Sequence, residues 1–489
     1  MNYLRKTIDF TFGKKNTRII ATVGPSLLID NNIDKAIKAG VDIFRINFSH
    51  GNYSEYTSTI NSIRKASDKH KKSIAILGDL SGPKIRIAGI DKPVNLNKGD
   101  IFRIYTGGGS YTQYDGKYGK LNIDQFYGKI KKDSTIIVGD GELFLKVVSV
   151  GDNYIDASAS KNGVIGPGKG ITIPNITPKL DVPNEKDKKD IKFAINSKID
   201  YLAISFVKRS EDIDNVKAYM KKLNADIPII SKIEMKEAIE NIDDIVKKSD
   251  AIMVARGDLG IEIPIKHLPI IQKKIITTSN NAGKPVITAT QMLKSMVNYP
   301  MPTRAEVTDV VNAVLDGSDA VMLSEESAMG SYPIEAINMM YDLVNEGEKI
   351  INNDKFIVES TQYASDIENL ISRMVVDTTK NIKVKAIIAP TSSGRTAQLI
   401  SRFRLDIPII AITRHDKTFK KLLLSWGVHP IKIDKEYING IDEILDITAL
   451  LAKHYRFKDG DNIIITGGYP LRGTPTNLLY IYKYSGKHT

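Results

Sequence analysis

The stretch that decides the fold runs from 227 to 264: IPIISKIEMKEAIENIDDIVKKSDAIMVARGDLGIEIP. It reads as strand, helix, strand. An apolar run over 227–234 ends in Ser231, Lys232 and Glu234. Ala238, Ile239, Ile242, Ile245 and Val246 then recur at helical spacing over 237–248. A second apolar run, 251–255, ends in Arg256, Gly257 and Asp258. Side chains alternate along a strand, so Lys232 and Glu234 leave the first strand on the same side. Parallel strands joined by a helix end at one edge, so Asp258 leaves the next strand beside them. Two carboxylates offering oxygen suit Mg2+, and a lysine beside them suits a phosphoryl group. A structural salt bridge at a strand end is the other reading of these residues.

The same strand-then-helix pattern recurs outward in both directions. Eight apolar runs span residues 18 to about 350: RIIATVG (18–24), VDIFRINFS (41–49), SIAILGDL (73–80), YLAISFV (201–207), IPIISKIE (227–234), AIMVARGD (251–258), PVITATQ (285–291) and AVMLSEES (320–327). Near-continuous Val, Ile and Ala runs mark strands buried on both faces, hence a parallel sheet. Eight units predict a closed (β/α)8 TIM barrel, whose C-terminal face holds the chemistry. Polar residues gather where the runs end: Arg45, Asn47 and Ser49; Asp79; Lys232 and Glu234; Asp258; Thr290; Ser324 and Glu326. They are also open to a plainer reading, as polar exits of buried strands. The segment 303–316, TRAEVTDVVNAVLD, opens with a capping box of Thr303 and Glu306, and Asp316 and Gly317 close the helix.

About 120 residues separate the third and fourth runs, far more than one helix needs. Alternating runs broken by Gly, Asp and Asn turns (IFRIYT, STIIVG, ELFLKVVSV, NYIDASA) predict an inserted all-β lid domain over 84–179. Gly107 to Gly109 and GPGKG at 166–170 read as turns, because no strand-then-helix context makes them phosphate loops. The barrel then comprises 1–83 and 180–352. From 353 to 489 a C-terminal open α/β domain is expected, with strands VKAIIAP (384–390), IPIIAIT (407–413), VHPIKI (428–433), DNIIITG (461–467) and LLYIYKY (478–484). The first of these ends in Thr391, Ser392, Ser393, Gly394, Arg395 and Thr396 just before a helix. That set suits an anion, or it is a Ser/Thr cap with a tight turn.

A chain of 489 residues exceeds one core, and its 26% charged residues are ordinary for a globular protein. It has no cysteine, so disulfides and thiol chemistry are excluded. No run reaches membrane-spanning length and the N-terminal stretch lacks a signal-peptide core, so a cytoplasmic enzyme is expected. The net charge of +12 suits anionic metabolites; acids interleave with the bases and no nucleic-acid motif is present.

Taken together, INFSHG (46–51), GPKIR (82–86), IISKIE (229–234), MVARGDLGIEIP (253–264), ATQML (289–293), PTRAEVTDVVNAVLDG (302–317) and TSSGRTAQLISRFR (391–404) resemble the signatures of the pyruvate kinase family, in family order. The resemblance implies Mg2+-dependent transfer of the phosphoryl group of phosphoenolpyruvate to ADP, giving ATP and pyruvate, the last step of glycolysis. It implies that Glu234 and Asp258 hold Mg2+ and that Lys232 stabilises the phosphoryl group. Gly257, Asp258 and Thr290 would hold the substrate carboxylate, and Arg45 would meet the phosphoryl group. Asn47, Phe48, Ser49, His50, Arg86 and Lys186 would contact nucleotide, with Asp140 brought in by the lid. Thr290, Ser324 and Glu326 are candidates for a proton relay to the enolate. The family is usually homotetrameric, and a phosphorylated effector at 391–396 is expected.

One departure stands out. Many members bind K+ through positions matching Asn47, Ser49, Asp79 and the carbonyl of Leu80, within Asp-Thr-Lys-Gly-Pro-Glu. This chain has Asp79-Leu80-Ser81-Gly82-Pro83-Lys84, with Ile87 changed alongside. It resembles the K+-independent branch, and the Lys84 ammonium would replace the ion and repel it. Glu325 stands where Gly is common, adding a charge near the site. Two rival functions share parts of the pattern: a barrel lyase or aldolase acting on phosphoenolpyruvate or pyruvate, and a non-catalytic protein retaining only the C-terminal anion site.

Overall fold

Eight strands pair in parallel and in chain order around a closed barrel in the computed structural model, which describes residues 15–82, 85–106, 116–122, 126–127, 130–139, 141–174, 177–178, 182–356, 366–434, 440–470 and 474–486. They are β1 (Arg18–Thr22), β2 (Ile43–Asn47), β3 (Ala75–Asp79), β4 (Tyr201–Ile204), β5 (Ile229–Ile233), β6 (Ala251–Ala255), β7 (Val286–Ala289) and β8 (Ala320–Leu323). The ring closes where Arg18 faces Ala320. Residues of one parity point inward: Ile20, Ile43, Leu77, Tyr201, Ile230, Met253, Ile287 and Met322 interleave with Ala75, Ala203, Ala251 and Ala320. Their neighbours, such as Ile19, Phe44, Ile76, Ile229 and Ile252, face the helices. Large and small side chains thus fill the interior as a packed core. Leu423 and Leu424 of the C-terminal segment join that interior cluster.

The strands are shorter than the apolar runs, and the trimming falls mostly at the functional rim. There the ladder gives way to side-chain acceptors: Phe206 N–H donates to Glu234 and Gly257 N–H to Thr290 Oγ1. The expected helix over 237–248 is two, Lys236–Glu240 and Ile242–Lys248. Asn241 divides them, its side-chain amide donating to the carbonyls of Glu237 and Lys208 at 3.0 Å each. The capping box of Thr303 and Glu306 is formed at the start of Arg304–Leu315.

A repeating device registers the opposite rim. Asp42, Asp200, Asp250 and Asp319 each stand immediately before an even-numbered strand. Each accepts a backbone N–H from the preceding odd strand: Ile19 at 2.8 Å, Ile76 at 2.8 Å, Ile229 at 3.0 Å and Val286 at 3.0 Å. Each is also paired with cations. Lys15 reaches Asp42, Arg64 and Lys420 reach Asp200, Lys421 reaches Asp250, and Arg404 reaches Asp319. Three of these partners, Arg404, Lys420 and Lys421, come from the C-terminal segment, so the collar both sets strand register and docks that segment.

Between β3 and β4 lies the inserted β unit. Its main sheet orders strands Ile171–Thr172, Thr135–Val138, Leu143–Val150, Tyr154–Ala159, Ile101–Tyr105, Lys117–Leu121 and Ile87–Ala88. Ile87 N–H donates to Lys169 O at 2.9 Å and Arg86 bridges Gly170, drawing the two edges nearly closed. Ile87, Phe102, Ile104, Val138, Leu145 and Ile155 form its own core. The two-residue strands carry too little alternation to be read from sequence. The turn at 166–170 is present, with Gly168 at φ +68; Gly107 to Gly109 lie outside the described residues. After the barrel come β9 (Val384–Pro390), β10 (Ile409–Thr413), β11 (Val428–Lys432), β12 (Asn462–Gly467) and β13 (Leu478–Lys483). They form one sheet in the order β11-β10-β9-β12-β13, with β13 antiparallel and apolar clusters on both faces.

Candidate active site

The inward parity of each strand, followed to its C-terminal end, collects Thr22, Arg45, Asp79, Lys232 and Glu234 at one rim. The Lys232 ammonium lies 2.7 Å from Glu234 Oε1 and 3.3 Å from Asp79 Oδ1, and donates to Ser205 Oγ at 2.7 Å. Asp79, buried, accepts from Arg45 Nε at 2.7 Å, and Arg45 Nη1 donates to Thr22 Oγ1 at 3.0 Å. Burial works against the charge of Lys232, yet Asp79 and Glu234 outweigh it and hold its pKa above the ordinary lysine value. Burial likewise opposes the Asp79 charge, but Lys232 and Arg45 carry its pKa below the usual range. Burial pushes the Glu234 carboxyl upward against the pull of Lys232, and the charge of Asp258 pushes the same way.

Asp258 sits in the first turn of the helix Arg256–Glu262, which begins as β6 ends. Gly257 N–H donates to Thr290 Oγ1 at 2.8 Å, tying β6 to β7. Thr290 and Gln291 have φ of +67 and +55. A β-branched residue in the left-handed region is strained, and such strain persists only where the surroundings hold it. Arg256 supplies the hold: it donates to Thr290 O at 2.7 Å and to both carboxylate oxygens of Asp309 at 2.8 and 2.7 Å.

Glu326 is buried, and its two oxygens accept from Leu293 N at 3.1 Å and Ser324 N at 2.7 Å. It is engaged in shaping the β8 exit. Ser324 Oγ, in contrast, is buried without a hydrogen-bond partner. Glu325 turns outward and pairs with Lys294, which accounts for its charge.

Asn47 ends β2, and Phe48, Ser49 and His50 form the turn that follows. Asn47 Oδ1 accepts from Ser49 N at 3.1 Å. The Phe48 ring is buried against Tyr56 and Phe193, so only its backbone faces the turn. Lys186 Nζ donates to Phe48 O at 2.7 Å and to Asp190 at 2.6 Å, tying the helix Glu185–Asn196 to that turn. Arg86 lies in the lid, its Nη1 donating to Gly168 O at 2.9 Å. Asp140 and Lys84 lie outside the described residues. Leu80 O accepts from Ser205 Oγ at 2.8 Å.

In the C-terminal unit, Gly394 N–H donates to Thr391 Oγ1 at 2.9 Å and Arg395 N–H to Ser393 Oγ at 3.3 Å. Ser392 O accepts from Thr418. Arg395 Nη1 reaches Ala282 O of the barrel at 2.8 Å, and Thr396 is buried against Thr476. Much of the hydrogen-bonding capacity of this loop is therefore used internally.

Ser205, Phe206, Arg256 and Asp309 were not singled out from sequence. Arg256 had a visible signal, an invariably charged side chain at a strand exit, but its partner Asp309 sits 53 residues on, in a helix that read only as capped.

A closed parallel barrel with an acid–base cluster at its C-terminal rim, a β lid inserted after the third strand and a C-terminal α/β unit defines a barrel phosphotransferase. Comparison with known proteins carries this further. Residues 14–337 match the family described as pyruvate kinase, barrel domain, and residues 369–482 match pyruvate kinase, alpha/beta domain. The chain is 39% identical over 473 residues to a pyruvate kinase of Clostridium acetobutylicum, covering 96% of this chain and 99% of that one. It is 37% identical over 476 residues to one of Thermotoga maritima (96% and 99%) and 38% identical over 476 residues to one of Thermococcus litoralis (96% and 98%). The chain belongs to the pyruvate kinase family. Its activity is transfer of the phosphoryl group of phosphoenolpyruvate to ADP, with formation of ATP and pyruvate.

Proposed function

We propose that this activity is carried by Lys232, Arg45, Glu234, Asp258 and Thr290 at the barrel rim. The observation behind the assignment is the Lys232 ammonium, kept charged between Glu234 at 2.7 Å and Asp79 at 3.3 Å. Phosphoryl transfer needs charge neutralisation and in-line positioning more than covalent chemistry. The P–O bond of phosphoenolpyruvate breaks as a β-phosphate oxygen of ADP bonds to phosphorus. Lys232 neutralises the moving group, and Arg45, permanently charged, aligns it. Backbone groups at Gly257 and Asp258, with Thr290, hold the substrate carboxylate; the strained Thr290 backbone supports this positioning. The enolate left behind takes a proton at its terminal carbon and becomes pyruvate. Ser324, with its unpartnered hydroxyl, suits a water relay better than Glu326, whose oxygens are engaged, or Thr290, whose hydroxyl already bonds Gly257 and Ala289.

Family membership implies dependence on Mg2+. Glu234 and Asp258 would hold it: both offer hard oxygen, and their mutual repulsion is relieved by a divalent ion. Among the described residues no group of three or more His, Cys, Asp or Glu is arranged to hold a metal, so these two would share the ion with substrate oxygens. When bound, Mg2+ supplies Lewis-acid stabilisation of the enolate oxygen.

Asn47, Phe48, Ser49, His50, Arg86, Lys186 and Asp140 are proposed on the nucleotide side, Phe48 through its backbone. K+ is proposed to be dispensable. Besides Lys84, the neutralisation of Asp79 by Arg45 and Lys232 supports this, since Asp79, with Asn47, Ser49 and Leu80, would otherwise serve the ion. Residues 1–83 with 180–352, 84–179 and 353–489 are proposed as the barrel, lid and C-terminal domains. A phosphorylated effector at Thr391 to Thr396, a homotetramer and a cytoplasmic location complete the reading. Among the described residues no helix is long and apolar enough to cross a membrane.

ATP formation from phosphoenolpyruvate, ADP and Mg2+ in tetramethylammonium buffer tests the proposal. Full rate without K+ is expected, and strong stimulation by K+ would refute the Lys84 reading. Lys232→Met should keep substrate binding and lose turnover by roughly three powers of ten or more. Surviving turnover would overturn the assignment, and absence of ATP formation by the unaltered chain would favour a lyase or aldolase.

A further inference from the structure

We propose that the exit of β4, Ser205 with Phe206, is the element that positions both Lys232 and Glu234, and that Ser205 is a positioning residue for phosphoryl transfer. This rests on the role given to Lys232 above. Ser205 is 3% exposed. Its hydroxyl donates its single proton to Leu80 O at 2.8 Å, which turns its lone pairs toward Lys232 Nζ at 2.7 Å. One residue on, Phe206 N–H donates to Glu234 Oε2 at 2.9 Å from a backbone at φ +60. A phenylalanine in that region is strained and stays there only when packing enforces it. Gly82, at φ +63, makes room: a Cβ there would stand 2.6 Å from Phe206 Cδ2 and 2.8 Å from Ser205 Cβ. Two consecutive residues thus grip an ammonium and a carboxylate that lie two positions apart on the neighbouring strand.

The geometry also singles out the N–H of Lys232 that is open to a substrate oxygen. Lys232 has three N–H donors and faces three oxygens, at 2.7 Å (Ser205), 2.7 Å (Glu234) and 3.3 Å (Asp79). The Asp79 contact is the longest and is an ion pair only, since Asp79 Oδ1 has no hydrogen-bond partner, while its second oxygen keeps Arg45. An incoming phosphoryl oxygen therefore replaces Asp79 while Ser205 and Glu234 hold the ammonium in place.

Ser205→Ala should lower kcat by about 10- to 100-fold, as misplacement of a catalytic group by a fraction of an ångström does. KM for phosphoenolpyruvate should stay within about threefold, and the thermal midpoint should be unchanged. Exchange of the methyl protons of pyruvate with D2O, which needs enolisation but no phosphoryl transfer, should stay within about twofold of the unaltered enzyme. A kcat within about twofold of the unaltered enzyme, or exchange lost in parallel with transfer, overturns the inference. Should the alanine variant fold poorly, Ser205→Cys keeps the shape with a weaker acceptor. It should show the same split, and unchanged turnover in it is equally fatal. Lys232→Met in the same assay separates the two levels. If it turns over, the reading of Lys232 fails; if it is inactive while both Ser205 variants work normally, this inference alone fails.

Discussion

Arg256 shows what a single side chain does at this rim. It is buried, joined to Asp309 through both carboxylate oxygens, and holds the carbonyl of the strained Thr290. Breaking that chain by Asp309→Ala leaves the guanidinium without its bidentate partner and loosens the peptide that presents Thr290. A fall in kcat/KM of roughly 10- to 100-fold is expected. Thr308→Ala, one position away and exposed, should change nothing; steady-state kinetics of the pair checks this, and equal rates would sink the idea. Lys232 and Glu234 were legible because strand parity fixes side-chain direction from spacing alone; Asp258 was expected to leave the strand and instead stands in the first turn of the helix that follows it. Ser205, Phe206 and Asp309 were not, because what makes them matter is a partner from another element. Backbone strain is also invisible to spacing: nothing in the letters Ser-Phe or Ala-Thr-Gln announces a positive φ.

At the level of elements, buried parallel strands declared themselves through unbroken Val, Ile and Ala runs. The aspartate collar did not, since one Asp before a strand reads as a turn residue. Its signal was the alternation, Asp42, Asp200, Asp250 and Asp319 before every second strand. The C-terminal sheet offers a test of burial within an element. His429, on β11, is half-buried, its ring against Tyr455; burial first, then the charges of Arg18 and His454, push its pKa from 6.5 down to about 3. It is therefore neutral in the fold, while the unfolded chain takes a proton below pH 6.5. Its contribution is fully present above that pH and is lost as pH falls toward 3. Between pH 7 and pH 5 this loss amounts to about 2 kcal/mol. Urea unfolding should show His429→Gln losing about 2 kcal/mol less than the unaltered chain over that interval. Equal losses would show that His429 is not the group responsible.

On the scale of the whole molecule, the collar seats the C-terminal unit on the barrel while other faces remain open. Ile367, Leu370 and Met374 recur at spacings of three and four on the exposed side of Ile367–Asn381, and Tyr480 and Ile481 are exposed on β13. The homotetramer proposed above would use this apolar face for contact between subunits. Sedimentation velocity checks both levels: the unaltered chain is expected as a tetramer and Leu370→Glu as a smaller species, and an assembly unchanged by the substitution would place the contact elsewhere. The lid was legible as an insertion from the gap between strands, and its near-closure was not, because the strands that join its edges are two residues long. That near-closure bears on how the chain assembles. Strand β4 must find β3 across roughly 120 residues, and a floppy connection of that length would slow the search. Because Arg86 and Gly170 are brought together, the insertion can collapse on its own core and return the chain close to where it left. The ribosome delivers the lid before β4, so the order of synthesis already favours a barrel that waits for its guest to fold before it shuts.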